Sequence, residues 1–428
     1  MTVHAIGKAV PLAESERLSA LFQKLRDAAF DGVGISRLAY TAKESEALDM
    51  IEAEALAAGL PTERDAAANL VVTLPGRDAS LPFIACGSHI DSVVQGGNYD
   101  GAAGVVAGLS VLTRMKRDNV QPLRTVKLFA LRGEESARFS RPYLGSKCLF
   151  GKLTPTDLRT PGQDDGQTMA EAMRGVGIDV DRVSAGEVLL DPATVAAWIE
   201  LHIEQGPVLI ARNLPVGVVT GIRGNIRHQA VRCEGEAGHS GAVPRWLRRD
   251  AVFGMCSLIS NLDEHWQRLL ERGHDLVMTS GIVSTDPKIN AIARIPESVR
   301  FAFEIRSQSA ETLAAAYSLF LSECAAISSE RGVRFHLDEK ITADGATMDA
   351  GWVDRLSMAA NALGIPAELI PSGAGHDAAV FANAGIPSAM IFVRNQNGSH
   401  NPREAMEISD LVAGIDVMHA AISQAAMQ

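Results

Sequence analysis

Four apolar runs in this chain each end on histidine or a carboxylic acid, and that recurrence constrains the fold more than any bulk property. Residues 81–86 run into Gly87-Ser88-His89-Ile90-Asp91, and a glycine-rich stretch then carries Asp100 and ends at Gly104. Residues 125–131 run into Arg132-Gly133-Glu134-Glu135. Trp198 to Leu201 precede His202-Ile203-Glu204-Gln205, and residues 389–393 precede a polar loop that ends on His400. Short apolar runs bounded by glycine and polar residues predict buried strands, each expected to stop where the polar residues begin. Ligand-holding groups collect at the carboxyl ends of such strands. Taken alone, His89, Asp91 and Asp100 read equally well as a turn with solvated acids. Adjacent glutamates are usually a surface pair, and single histidines are commonly structural. Four coincidences at strand exits favour a built site instead.

The rest of the chain fits these strands into an α/β pattern. Helical spacing covers residues 12–29 and 42–59, with Thr41 as N-cap and Gly59 as the stop. Strands are expected at 70–74, 83–86 and 126–131, with a helix at 103–116 between the last two. Residues 151–192 read as helices joined by long loops, and 203–218 as a return to strand. From about residue 220 the rhythm changes: strand 227–234, helix 249–271, strands 275–283 and 298–306, helix 310–331, strand 333–340. That β-α-β-β-α-β order describes a ferredoxin-like unit inserted in the α/β domain. Helix 352–363 and strand 389–393 then resume the first pattern. Domain boundaries are expected at 1–219 plus 338–428 for the outer domain and 220–337 for the insertion.

At 428 residues the chain is long enough for two cores. Its 46% hydrophobic and 21% charged content is that of an ordinary globular protein. A formal net charge of −11 argues against nucleic acid as a partner. The five cysteines are odd in number and form no CxxC pair, so they read as reduced thiols of a cytoplasmic protein. No apolar run approaches membrane length, and no basic-then-apolar leader opens the chain.

The motifs carry a specific resemblance. Gly87 to Gly104, Arg132 to Phe139, His202 to Gly206, Ser372 to Ala378 and Gly398 to Pro402 resemble, in order, the blocks of the M20 metallopeptidase family. They are most similar to its amidohydrolase (hydantoinase/carbamoylase) branch, which holds N-carbamoyl-L-amino acid hydrolases, β-ureidopropionases and allantoate amidohydrolases. His202 points to this branch, because peptidase and aminoacylase relatives usually carry an acid there.

The resemblance implies a catalytic α/β/α domain, with a mostly parallel or mixed sheet, interrupted by a ferredoxin-like lid and dimerisation domain. It implies two divalent metal ions per chain bridged by Asp100, with His89 and His202 completing one ion and Glu135 and His400 the other. Imidazole with carboxylate suits zinc, with manganese, cobalt or nickel as alternatives. Asp91 would accept a hydrogen bond from His89 and fix its tautomer. Glu134, beside a ligand but not itself one, would act as general base and acid. His239, in Gly238-His239-Ser240-Gly241, matches the histidine that reaches across the dimer to the carbonyl oxygen, where a donor stabilises an oxyanion. Arg306 matches the arginine that binds a substrate carboxylate. Gln205, Gly373 and Ala374 are further candidate substrate contacts. The expected reaction is hydrolysis of a ureido C–N bond in a small carboxylated substrate by a homodimer. An aminoacylase or dipeptidase of the same fold and a non-catalytic metal-binding relative are the alternatives; His202 argues against the first and Glu134 against the second.

Departures from the family pattern gather around the substrate rather than the metal ligands. Ala293 occupies the ungapped position of a substrate-binding asparagine, leaving nearby Asn290 as the candidate replacement. Arg394 stands where proline is common, Ala242-Val243-Pro244-Arg245 replaces Thr-Thr-Pro-Met, and Ala68 replaces a glycine before Asn69.

Overall fold

Parallel pairing of the strand Phe83–His89 with Val126–Leu131 on one side and Val195–Ile203 on the other organises the larger of two compact units. The computed structural model describes residues 12–428. One unit comprises the described residues through Thr220 together with Thr347–Gln428, and the other comprises Gly221–Ala346.

The first unit is built on a nine-stranded mixed sheet. Its centre runs Val126–Leu131, Phe83–His89, Val195–Ile203, Ser388–Val393, all parallel. Leu70–Leu74 and Thr62–Arg64 extend one side antiparallel, and Val216–Ile222 pairs antiparallel on the other. The four central strands are buried almost throughout, which accounts for their unbroken apolar runs. On one face the helix Ala102–Arg117 packs Val105, Val106, Leu109 and Leu112 into a core with Ile84, Leu128, Ile199 and Ile391. Gly104 permits the close approach: a Cβ there would lie 2.1 Å from the Leu201 carbonyl oxygen. On the other face an aromatic layer of Phe83, Phe129, Trp198 and Phe381 fills the space, with Trp198 and Phe381 stacked 3.8 Å apart.

The second unit carries a six-stranded antiparallel sheet. Ser298–Ser307 lies between Gly224–Glu234 and the short strands Val277–Thr279 and Val283–Ser284, while Arg334–His336 and Ile341–Ala343 pair on the far side of Gly224–Glu234. With helices Ala251–Glu271 and Ala310–Arg331, this is the ferredoxin-like arrangement. Alternate residues of Ser298–Ser307 face inward, so Val299, Phe301, Phe303 and Ile305 meet Leu258 and Phe320 in a separate core.

Several boundaries differ from the sequence reading. The strand expected to stop at residue 86 continues through Gly87 and Ser88 to His89, because its ladder with Val126–Leu131 persists to His89 opposite Leu131. Residues 203–218 are not one strand: the helix Val208–Arg212 interrupts them, its Val208 and Leu209 amides capped by Glu204. The run 275–283 breaks into two short strands, and of 333–340 only Arg334–His336 is strand. All five cysteines are free, four of them buried. Among the described residues, no helix is long and apolar enough to cross a membrane.

Candidate metal centre

Strand register brings the first two candidates together. Cys86 pairs with Ile199, and three residues further on each parallel strand stand His89 and His202. Both rings are buried, with centroids 5.6 Å apart. The His202 Nδ1 lies 2.9 Å from the Ile203 carbonyl oxygen, which fixes the proton on Nδ1 and leaves a lone pair on Nε2. The His89 Nδ1 lies 3.2 Å from the Asp91 carbonyl oxygen and 3.3 Å from its Oδ1, with the same consequence. The two Nε2 atoms face Asp100 Oδ1 at 3.4 Å from His89 and 3.2 Å from His202.

Asp100 is delivered by the loop ahead of the helix Ala102–Arg117. Gly101 lies under the His89 ring with φ +64°, where a Cβ would come within 2.4 Å of that ring. The other oxygen of Asp100 faces the second pair: His400 Nε2 lies 3.4 Å from Oδ2 and 2.9 Å from Glu135 Oε1. Two three-residue groups, His89–Asp100–His202 and Asp100–Glu135–His400, therefore share Asp100.

The turn that carries Glu134 and Glu135 is held from beneath. Asp91 accepts the backbone N–H of Glu134 at 2.9 Å through Oδ1 and that of Glu135 at 3.1 Å through Oδ2. Buried Glu44 accepts the Gly133 N–H at 3.0 Å and pairs with Arg132. Glu134 belongs to neither donor group; its Oε2 lies 3.9 Å from His89 Nε2. Burial pushes its carboxyl well above the usual carboxylate range, His89 opposing and the charges of Glu135, Asp377 and Asp91 adding to the rise.

This donor set fits divalent cations. Asp100 Oδ1 is buried and has no hydrogen-bond partner, yet two imidazole lone pairs point toward it. The Gly101 N–H donates to His202 Nε2 at 3.1 Å, but the buried oxygen and His89 Nε2 face each other without a donor, and positive charge between them satisfies both. Without a metal the same carboxylates demand protons: burial opposes the charge on His89, but Glu134, Asp100 and Asp91 raise its pKa well above the usual value. A third group, Glu200, His202 and His376, is satisfied by the protein itself, with Glu200 accepting from Ser88, Trp198 and the Ala378 N–H.

The candidate substrate residues are placed as follows. Gln205 donates from Nε2 to Asp100 Oδ2 at 2.7 Å, from a backbone with φ +62°. Gly373 and Ala374 form a turn in which Ser372 Oγ donates to the Ala374 carbonyl at 2.7 Å. The remaining three belong to the second unit. His239 is exposed on the short strand Gly238–His239, paired with Arg294–Ile295. Arg306 Nε lies 3.1 Å from Glu304 Oε2. Asn290 donates to the Asp286 carbonyl at 2.9 Å, while its Oδ1 is buried without a partner.

The sequence reading overlooked Glu44, Ser399 and Glu404, which hold candidate ligands in place. An acid four residues after His400 was the available signal for Glu404. Of the departures, Ala68 adopts φ +57°, the left-handed conformation that favours the glycine found in relatives.

Residues 85–424 match the profile of peptidase family M20/M25/M40. The chain belongs to that family. An N-carbamoyl-L-amino acid amidohydrolase of Geobacillus stearothermophilus is 35% identical over 92% of this chain and 94% of its own length. An allantoate amidohydrolase of Escherichia coli is 32% identical over the same shares. A hydantoinase/carbamoylase family amidase from Burkholderia multivorans superposes with a TM-score of 0.86 at 28% identity, covering 97% of this chain and 98% of that one. This M20 chain is a hydrolase of the amidohydrolase branch.

Proposed function

We propose that the chain hydrolyses the ureido C–N bond of a small carboxylated substrate, an N-carbamoyl amino acid or related ureido acid. The observation that carries the reading is Glu134, a buried carboxylate beside the Asp100-centred donor groups and a member of neither. The similarity to carbamoyl-amino-acid and allantoate amidohydrolases supports the ureido class.

His89, Asp100 and His202 would hold one divalent ion, and Asp100, Glu135 and His400 a second, zinc suiting this donor set best. Bound there, divalent ions lower the pKa of water and polarise a carbonyl. Glu134 takes a proton from the water that attacks the ureido carbonyl carbon, and returns it to the amine nitrogen as the C–N bond breaks. The released carbamate decomposes to carbon dioxide and ammonia. Asp91 serves by keeping the His89 tautomer and the Glu134–Glu135 turn in register. His239, contributed by the partner in a homodimer, donates to the developing oxyanion, and Arg306 pairs with the substrate carboxylate. In this reading the inserted unit, Gly221–Ala346, is the lid and dimerisation element, and the unpaired thiols fit a cytoplasmic enzyme.

The test is product analysis with metal-reconstituted protein on N-carbamoyl-L-amino acids, N-carbamoyl-β-alanine, allantoate and ureidoglycolate, against N-acyl amino acids and dipeptides. Ammonia released in step with the amine supports ureido hydrolysis. Turnover confined to acyl or peptide substrates overturns it.

A further inference from the structure

Glu404 lies outside both donor groups, yet it joins the loops that deliver them. Its Oε1 accepts the backbone N–H of Tyr99 at 2.8 Å and of Asp100 at 3.2 Å. Its Oε2 lies 2.6 Å from Ser399 Oγ, and that hydroxyl also reaches Asp100 Oδ2. One carboxylate thus fixes the backbone of Asp100 and the residue before His400, groups about three hundred positions apart in the chain. The site is shaped for it: a Cβ at Gly97 would fall 2.0 Å from the Glu404 carboxyl carbon. Glu404 is 7% exposed, so losing these acceptors would strand buried amides without water to replace them.

The two donor groups are not supported alike. His89 and His202 end central parallel strands and are held through their own Nδ1 atoms. His400 sits on a loop with φ +59°, and its side chain is half exposed. The Ser399–Glu404 link falls on Oδ2, the Asp100 oxygen nearer His400.

We infer that Glu404 is a positioning residue, acting through Ser399 and the Asp100 backbone, that sets affinity for the ion held by Glu135 and His400 and has little effect on the ion held by His89 and His202. The inference rests on the two-ion reading. Calorimetric titration of the metal-free full chain with Zn2+ or Mn2+ tests it directly. Glu404→Ala and Ser399→Ala should each weaken one of two binding events by about 10–100-fold, the range for residues that orient metal ligands. The other event should change less than about twofold, and Glu404→Gln, whose amide oxygen can still accept from Tyr99 and Asp100, should recover much of the loss. If Glu404→Ala does not fold, Ser399→Ala decides, since it leaves both backbone contacts intact. Equal weakening of both events, or no change in either, overturns the inference while leaving the two-ion site standing. A wild-type chain that binds a single ion overturns both.

Discussion

The Nε2 atoms of His89 and His202 lie 3.4 Å apart at the ends of neighbouring parallel strands. Each ring spends its Nδ1 on a nearby oxygen, so two buried lone pairs face one another with Asp100 Oδ1 between them. The Gly101 N–H donates to His202 Nε2 at 3.1 Å, which leaves His89 Nε2 and the carboxylate oxygen facing each other with no donor between them. Positive charge there satisfies both, and that connects the fold to the chemistry.

Glu134→Gln should leave metal content and fold nearly intact while lowering kcat by about 10²–10⁴-fold or more, since the amide cannot accept the proton from water. Turnover of an authentic ureido substrate, with metal content measured on the same sample, checks this. Retention of most of the activity would require Glu134 to be reassigned.

Metal loading should release protons. In the metal-free chain, hydrogen bonds to Asp100 and Glu135 raise His400 to about 10, against partial burial. Below that pH its ring is an imidazolium, whereas a metal ligand must be the neutral ring. Binding therefore expels the His400 proton, and apparent affinity should rise with pH through neutrality. Calorimetry in buffers of different ionisation enthalpy should report that release, smaller in His400→Ala. Heats independent of buffer would contradict it.

Inactive Glu134→Gln and inactive His239→Ala subunits should regain activity when mixed under conditions of subunit exchange. A mixed dimer in which His239 serves its partner carries one site with both groups intact. Absence of recovery, with exchange demonstrated by labelled subunits, would assign His239 to its own chain.

Arg306→Ala should lose roughly 10–100-fold in kcat/KM on a ureido acid, the scale of a charge-assisted contact. The loss should fall mainly on KM if ground and transition states share the contact, and be much smaller on the neutral amide analogue. Equal losses on acid and amide would show that Arg306 does not read the carboxylate.

The central strands were legible because a strand buried on both faces must be apolar throughout, and an apolar run that gives way to polar residues around His89 or His202 announces the end of a strand. The end of Phe83–His89 was misjudged because glycine and serine continue a ladder whose bonds are made by the backbone alone. The helix Val208–Arg212 escaped notice because five residues make little more than one turn and cannot show a repeat, and Glu204, which accepts its first amides, read as part of a polar exit. The ligand candidates were visible as residue types, but their supports were not. Glu44 and Glu404 are ordinary surface acids in sequence, and only the tertiary fold shows each buried against backbone amides of a distant loop.

The most direct measurement is anomalous diffraction at the zinc edge from crystals of the zinc-loaded protein. Two peaks should flank Asp100, one about 2.0–2.2 Å from His89 and His202 nitrogen and Asp100 oxygen, the other at the same range from His400, Glu135 and the second Asp100 oxygen. In Asp100→Ala crystals treated alike, both should lose occupancy. A single peak, or two that do not share Asp100, would contradict the account.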